Sequence, residues 1–154
     1  MRAELPQGIV KRTIQPGSVD GSVWDNESCE FFFVQDEKKF QFLLGVDDIY
    51  ADNRQLDRLK DKDLDFQWNC KDVRYKTRKT EKEWTAELAI PLASLDLATP
   101  TKEKPWRVNF ARNYFHVPGD PAQEPKKWQQ DLSTWRPTFG SFHNVERFGT
   151  LYFQ

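Results

Sequence analysis

The chain has 154 residues, a length that suits one domain able to bury a core without disulfide staples. Its 23 basic and 24 acidic side chains give a formal charge of -1, so no net field recruits nucleic acid or an anionic membrane surface. Aromatic residues make up 14% of the chain, which favours strands because aromatic side chains pack well on half-buried pleated surfaces. We therefore predict a strand-rich protein whose partners are neither nucleic acids nor membranes.

The N-terminal segment, residues 1–22, is set apart from the main domain, which we place at residues 23–154. Within the segment, residues 8–14 predict a short strand. Pro16, Gly17 and the Asp20-Gly21 dipeptide then predict turns.

Residues 29–34 predict a strand buried on both faces, because five of the six side chains are apolar. Glu30 is the exception, and an unpaired charge among phenylalanines is costly to bury. Its carboxylate must therefore lie at a strand mouth, meet a cation or accept hydrogen bonds. Trp24 stands six residues earlier, in a polar loop. A tryptophan beside a constrained carboxylate predicts a ligand site.

Residues 39–46 alternate apolar and other side chains, which predicts a hairpin with the preceding strand. Residues 47–65 are so charged that they predict a solvated loop or a short surface helix. Four oxygen-bearing side chains in this region could bind calcium: Asp47, Asp48, Asp52 and Asn53. They lack the spacing and the glycine of an EF-hand loop, so we favour a polar turn over a metal site.

The rest of the chain predicts further strands and loops. Strands are expected at residues 66–70, 73–79, 83–90, 106–114 and 148–153, and one helical turn at residues 91–95. A long loop is expected at residues 116–138, which hold four of the nine prolines. The pattern predicts an all-β fold: an antiparallel two-sheet β-sandwich, jelly-roll-like, with long loops and at most short helical turns.

Catalytic motifs are scarce in this sequence. His116 and His143 are the two histidines, and neither belongs to a metal-ligand spacing. The chain contains no glycine-rich phosphate loop, no nucleophile elbow and no CxxC motif. We therefore predict a protein that is not an enzyme and that needs no cofactor, with calcium as the alternative. Cys29 and Cys70 either form a disulfide or stay free core thiols, and free thiols are the commoner case.

Four segments, taken together and in order, resemble the family 9 carbohydrate-binding modules and their relatives. They are VWDNESCEFFF, EWTAELAIPLASL, WRVNFARN and STWRPTFGSFHNVERFGTLYF, and they span residues 23–153. The family consists of β-sandwiches appended to secreted glycoside hydrolases. Its characterised members clasp a sugar at the end of a glycan between two tryptophans beside a glutamate. The resemblance assigns these roles to Trp24, Trp135 and Glu30, whereas Leu43 stands where the family has an arginine.

The resemblance implies non-catalytic recognition of a sugar or glycan end, in a secreted or periplasmic protein. The alternative is a structural or interdomain β-sandwich of a larger glycoside hydrolase with no sugar binding of its own. A haem-binding sandwich is disfavoured, since Met1 is the sole methionine and no Met/His pair suits axial ligation. Family members carry further strands before the VW motif, so the resemblance implies that the strand at residues 8–14 is a remnant of that part. We therefore expect an open sheet edge and uncovered faces on residues 31–34 and 40–46, closed by a homo-oligomer or a parent enzyme.

Overall fold

A computed structural model describes residues 1–57 and 64–154, and these form two antiparallel sheets. The strands, in chain order, are β1 Arg2–Glu4, β2 Ser28–Gln35, β3 Lys38–Gly45, β4 Ile49–Gln55, β5 Leu64–Asp65, β6 Arg74–Lys79, β7 Glu83–Ala89, β8 Trp106–His116, β9 Gln129–Thr134 and β10 Gly149–Leu151. Short 3-10 turns occur at Val23–Asp25, Leu92–Leu95 and Val145–Arg147. The predicted two-sheet β-sandwich is confirmed.

The large sheet has seven strands in the order β10-β8-β2-β3-β4-β5, with β9 also paired to β8. Along the edge of β8 that faces away from β2, β10 pairs with the first residues of β8 and β9 pairs with the last ones. The small sheet has the order β1-β7-β6. Within the described residues, no helix is long and apolar enough to span a bilayer.

The main core lies between the two sheets. Phe31, Phe42 and Leu44 of the large sheet pack there with Trp84 and Ala86 of the small one. On the opposite face of the large sheet, Phe32 and Val34 pack in a second cluster with Val145 and Phe148. The strand at residues 29–34 is thus buried on both faces, as predicted. The expected lack of cover on residues 31–34 and 40–46 is wrong, because both faces have partners within the chain.

The strands predicted at residues 29–34, 39–46, 73–79, 83–90, 106–114 and 148–153, and the helical turn at 91–95, are confirmed. The loop or surface helix predicted for residues 47–65 is wrong where the chain is described, because Ile49–Gln55 forms β4 between β3 and β5. Two of its polar side chains are buried in the sheet, where Asn53 donates to Gln41 and Asp52 accepts from Tyr50. The rest of that prediction, at residues 58–63, lies outside the described residues.

Three other sequence predictions are corrected. Residues 8–14 form no strand, because Lys11 and Thr13 bond to the loop at 26–27 instead of to a sheet. Residues 66–70 form no strand either, since the chain turns directly after β5. The predicted long loop at 116–138 contains β9, which pairs with the end of β8.

Cys29 and Cys70 are both buried free thiols, so the second alternative is confirmed. Burial raises the pKa of Cys29 to about 12 and that of Cys70 to about 11. Both thiols therefore stay protonated at neutral pH and behave as small core side chains.

Glu27 joins the two sheets through one carboxylate that is fully buried. Its Oε1 accepts from Arg112 Nε and Nη2 of β8 at 2.9 and 2.7 Å, and from Trp84 Nε1 of β7 at 3.1 Å. Its Oε2 accepts from the Phe115 backbone N–H at 3.0 Å. Arg112 Nη2 also donates to the carbonyl of Glu4, the last residue of β1, at 2.6 Å. A single buried ion pair thus ties β8 to two neighbouring strands of the small sheet, β7 and β1.

Replacing Arg112 with Ala should lower the free energy of unfolding by about 3–5 kcal/mol, because Glu27 would keep a buried charge without its cation. Urea unfolding followed by tryptophan fluorescence measures the change. Arg2→Ala is the matched control: the Arg2–Glu83 pair is exposed, and its loss should cost at most about 1 kcal/mol. Equal small losses in both variants would show that the Glu27 pair does not hold the sheets together.

Candidate ligand site on the large sheet

Side chains of the large sheet alternate between a core face and a polar face. The strand register places Phe31 beside Phe42 and Phe110 on the core face. Glu30, Gln41 and Asn113 therefore point to the opposite face. This second face is partly covered by two apolar clusters, one around Phe32 and Val34 and one around Val23 and Leu43. It is where the polar residues of the central strands collect.

Five polar side chains cross this face in one continuous hydrogen-bonded row, which we call the polar row. Each comes from a different neighbouring strand, and the row runs Asn53, Gln41, Glu30, Asn113, Gln130. Asn53 donates to Gln41 at 3.1 Å, and Gln41 donates to Glu30 Oε2 at 2.6 Å. From the other side, Gln130 donates to Asn113 at 3.0 Å, and Asn113 donates to Glu30 Oε1 at 2.7 Å. The donors of the row therefore converge on the Glu30 carboxylate.

Glu30 is 4% exposed and meets no cation among the described residues. Of the three environments predicted for it, the structure shows hydrogen bonding. Burial raises the pKa of Glu30, because the ionised carboxyl loses hydration, and the bonds from Asn113 and Gln41 oppose that rise. The Glu30 carboxylate is therefore a strong hydrogen-bond acceptor that has little contact with water.

Trp24 lies on the 3-10 turn Val23–Asp25 and is 43% exposed. Its neighbours hold it there: Val23 is fully buried in a cluster with Leu43, Ile49 and Ala51. Asn26, also buried, donates to the Ser22 carbonyl and accepts from the Thr13 backbone N–H. The indole is therefore presented to solvent from a fixed backbone.

Trp24 and Glu30 line the same cleft, which we call the Glu30 cleft and which has a volume of about 380 Å³. The polar row forms its floor. Its walls are mostly apolar or aromatic side chains: Trp24, Leu43, Leu64, Phe66, Leu132 and Phe142. A polar floor with aromatic walls, in this range of volume, is typical of small-ligand sites.

His143 closes one end of the Glu30 cleft and packs edge-on against Phe32. Its Nδ1 lies 3.1 Å from the Lys39 ammonium. Loss of hydration and the Lys39 charge lower the pKa of His143 to about 4, so the ring is neutral above pH 5.

Trp135, the other tryptophan singled out by the sequence, does not reach the Glu30 cleft. It is 57% exposed and packs against Phe110 with ring centroids 5.7 Å apart. It lines a groove of about 460 Å³ on the core-face side, together with Met1 and Phe31. The structure thus brings Trp24 and Glu30 together and places Trp135 on the other side of the sheet.

The four residues considered for calcium point to different partners. Asp47 pairs with Arg12, and Asp48 pairs with Lys76 and bonds to Thr77. Asp52 bonds to Tyr50 on the core face, whereas Asn53 belongs to the polar row. Within residues 1–57 and 64–154, no cluster of three acidic, histidine or cysteine side chains suits a metal ion.

The sequence did not single out the amides of the polar row as a site. Gln41, Asn113 and Gln130 lie up to 89 positions apart, and only the strand order brings them together. A usable signal does exist, because amide side chains occupy outward positions of strands that are otherwise apolar. Such residues are expected to bond to each other or to a ligand.

No protein-family model matches the chain, and no curated protein sequence matches it. Its fold is similar to the crystal structure of a proposed carbohydrate-binding protein from Bacteroides uniformis ATCC 8492. The TM-score is 0.64 at 17% sequence identity, and the match covers 99% of this chain and 68% of that chain. At this identity the likeness shows a shared fold.

The raised pKa of Glu30 predicts a pH-dependent stability difference between the wild type and Glu30→Gln. Glu30 binds its proton more tightly in the folded state, so its contribution is full below the ordinary carboxyl pKa and is lost as pH rises through the raised one. Glu30→Gln has no carboxyl group at this position, so its stability lacks this pH-dependent contribution. Urea unfolding between about pH 4 and pH 8 should therefore show wild type losing stability relative to Glu30→Gln as pH rises. A constant difference would place Glu30 in a hydrated environment.

Proposed function

We propose that this protein is a non-catalytic carbohydrate-binding domain that takes a sugar ring in the Glu30 cleft. The observation that carries the proposal is the polar row beneath the aromatic wall. A sugar ring has an apolar C–H face and a rim of hydroxyls, so it needs a flat aromatic surface beside hydrogen-bonding groups. Trp24 supplies the aromatic surface, and Glu30 with its amide partners supplies the hydrogen-bonding groups.

The polar row can both accept and donate toward a ligand. The Glu30 oxygens have lone pairs beyond the two bonds that they accept. The amide nitrogens of Gln41 and Gln130 each carry a second N–H and line the cleft, whereas Asn113 donates to both Glu30 and Ser28. Hydroxyl groups donate and accept at once, so they can bond to both kinds of group. The fold shared with a proposed carbohydrate-binding protein supports the same proposal.

The finer parts of the proposal follow from the family resemblance. They are recognition of a glycan end, membership of the family 9 type, a place beside a glycoside hydrolase, and a secreted or periplasmic location. Trp135 lies outside the Glu30 cleft, and the proposal gives it no sugar contact.

The second candidate function is an interdomain module of a larger enzyme. One observation favours it: the core-side groove is lined by Met1, Phe31, Phe110 and Trp135, a combination of exposed and apolar surface typical of docking surfaces. In that case Trp135 would contact another domain, and the Glu30 cleft would be an unused remnant. A homo-oligomer closed through this region stays a prediction.

Replacing Trp24 with Ala should weaken sugar binding by about 1–3 kcal/mol, because a stacked indole is an aromatic hot spot. The fold should lose little stability, since Trp24 is 43% exposed and lies outside the three described core clusters. Isothermal titration calorimetry, with ligands chosen from a glycan array, measures the change.

Trp135→Ala is the matched control, because it removes a second exposed tryptophan on the other face of the sheet. Sugar affinity should be unchanged in this variant. Equal losses in both variants would support the two-tryptophan clasp and overturn the assignment to the Glu30 cleft alone. No binding by wild type across the array would favour the interdomain module.

A further inference from the structure

Two buried carboxylates stand three residues apart around the start of β2, and they differ in what balances their charge. The Glu27 carboxylate is fully buried and pairs with Arg112 of β8 at 2.7 Å. The Glu30 carboxylate is 4% exposed and accepts from the neutral amides of Gln41 and Asn113. Amide donors satisfy two of its lone pairs, but they do not neutralise its charge. Among the described residues, the chain therefore supplies a cation to Glu27 and none to Glu30.

The basic side chains on the polar face of the central strands lie far from Glu30. Lys39 and Arg107 both pair with Val34 in the strand register. Val34 is four residues along β2 from Glu30, which is roughly 13 Å at about 3.3 Å per residue. The Lys39 ammonium lies 3.1 Å from His143 Nδ1, and Arg107 donates to backbone carbonyls at 3.3 and 3.4 Å. Neither cation can neutralise the Glu30 carboxylate at the floor of the cleft.

Trp24 adds an aromatic face that attracts positive charge. Indole is the side-chain ring on which a cation binds most strongly. Trp24 borders the Glu30 cleft and is 43% exposed. Four other rings already carry a cation from the chain within 6 Å, namely those of Phe115, Trp68, Tyr114 and Phe139. Within residues 1–57 and 64–154, Trp24 is not among the rings so occupied.

The buried charge of Glu30 selects the kind of donor that a ligand should bring. Burial raises the pKa of Glu30, and the groups that oppose this rise are two amides rather than a cation. A ligand hydroxyl can donate to the carboxylate, but it leaves the net charge in a site with little water. A ligand ammonium donates to the same oxygens and neutralises the charge as well. A ligand carboxylate would place two like charges side by side.

We propose that the ligand of the Glu30 cleft is an amino sugar, whose ammonium group donates to the Glu30 carboxylate while the sugar ring stacks on Trp24. Neutral sugars bind in the same cleft more weakly, and sugars that bear a carboxylate are excluded. The inference rests on the proposed function, because it names the class of sugar that this cleft takes.

Isothermal titration calorimetry with matched monosaccharides tests the inference, at about pH 7, where an amine of this kind is mainly protonated. The probes are glucosamine, N-acetylglucosamine, glucose and glucuronate, and the corresponding galactose series. In at least one series the amino sugar should bind at least about tenfold more tightly than the neutral sugar, which corresponds to about 1.4 kcal/mol. The N-acetyl sugar should lose this gain, because acetylation removes the charge and keeps the nitrogen. The uronate should show no binding.

Glu30→Gln should abolish the preference, since it keeps the size of the side chain and removes its charge. Amino and neutral sugars should then bind with equal affinity. Asp25→Asn is the matched control, because it removes the same unit of charge from an exposed residue of the 3-10 turn that does not line the cleft. This variant should keep the full preference. Thermal unfolding checks that both variants fold, and the ligand series on wild type decides the matter without them.

The outcomes separate this inference from the proposed function. Sugar binding that depends on Trp24 but is equally tight for amino and neutral sugars would overturn the inference and leave the proposed function standing. A preference for the amine that survives in Glu30→Gln would also overturn the inference, because the ammonium would then lie elsewhere. Tighter binding of the uronate than of the neutral sugar would do the same. No binding of any sugar would overturn the proposed function and the inference together.

Discussion

The buried Glu27–Arg112 pair is the constraint on which the rest of the structure depends. Glu27 directly precedes β2, and its carboxylate meets Arg112 of β8 and Trp84 of β7. It therefore fixes where β2 begins relative to both sheets. Trp24 stands three residues before it and Glu30 three residues after it. The same ion pair that joins the sheets thus also sets the distance between the aromatic wall and the polar floor of the Glu30 cleft.

Much of the fold could be predicted from the sequence because apolar alternation is a local signal. The alternation around Trp84 and Trp106 predicted almost the full lengths of β7 and β8. β4 and β9 were missed for a shared reason: their side chains are mostly polar, and polarity alone suggests a loop. In β4 the side chains of Asn53 and Asp52 are buried and bond to Gln41 and Tyr50, and in β9 the polar side chains face solvent from an edge strand. Neither situation is visible without knowing which strands are neighbours.

The candidate site could be predicted in part. Trp24 and Glu30 are close in sequence, so one strand and the loop before it suffice to bring them together. Trp135 was grouped with them through the family resemblance, yet its ring packs on Phe110 and over Gly149, where a Cβ atom would lie 2.3 Å from the indole. The side chain of Trp135 therefore lies on the core-face side. The partners of Glu30 come from residues 11 and 83 positions away, so they depend on strand order.

Between Asn53 and Glu30, each hydrogen bond of the polar row is donated toward Glu30, and this common direction couples the orientations of the side chains at the two ends. Every amide between Glu30 and Asn53 is oriented by the bond next to it, so reversing one bond requires reversing the next. A proton placed on Glu30 Oε2 needs an acceptor, which Gln41 supplies only by turning its amide. Gln41 then offers N–H to Asn53, whose amide must turn in response and present nitrogen where its oxygen had been. One proton on β2 would thereby change an acceptor into a donor two strands away, with no movement of the backbone.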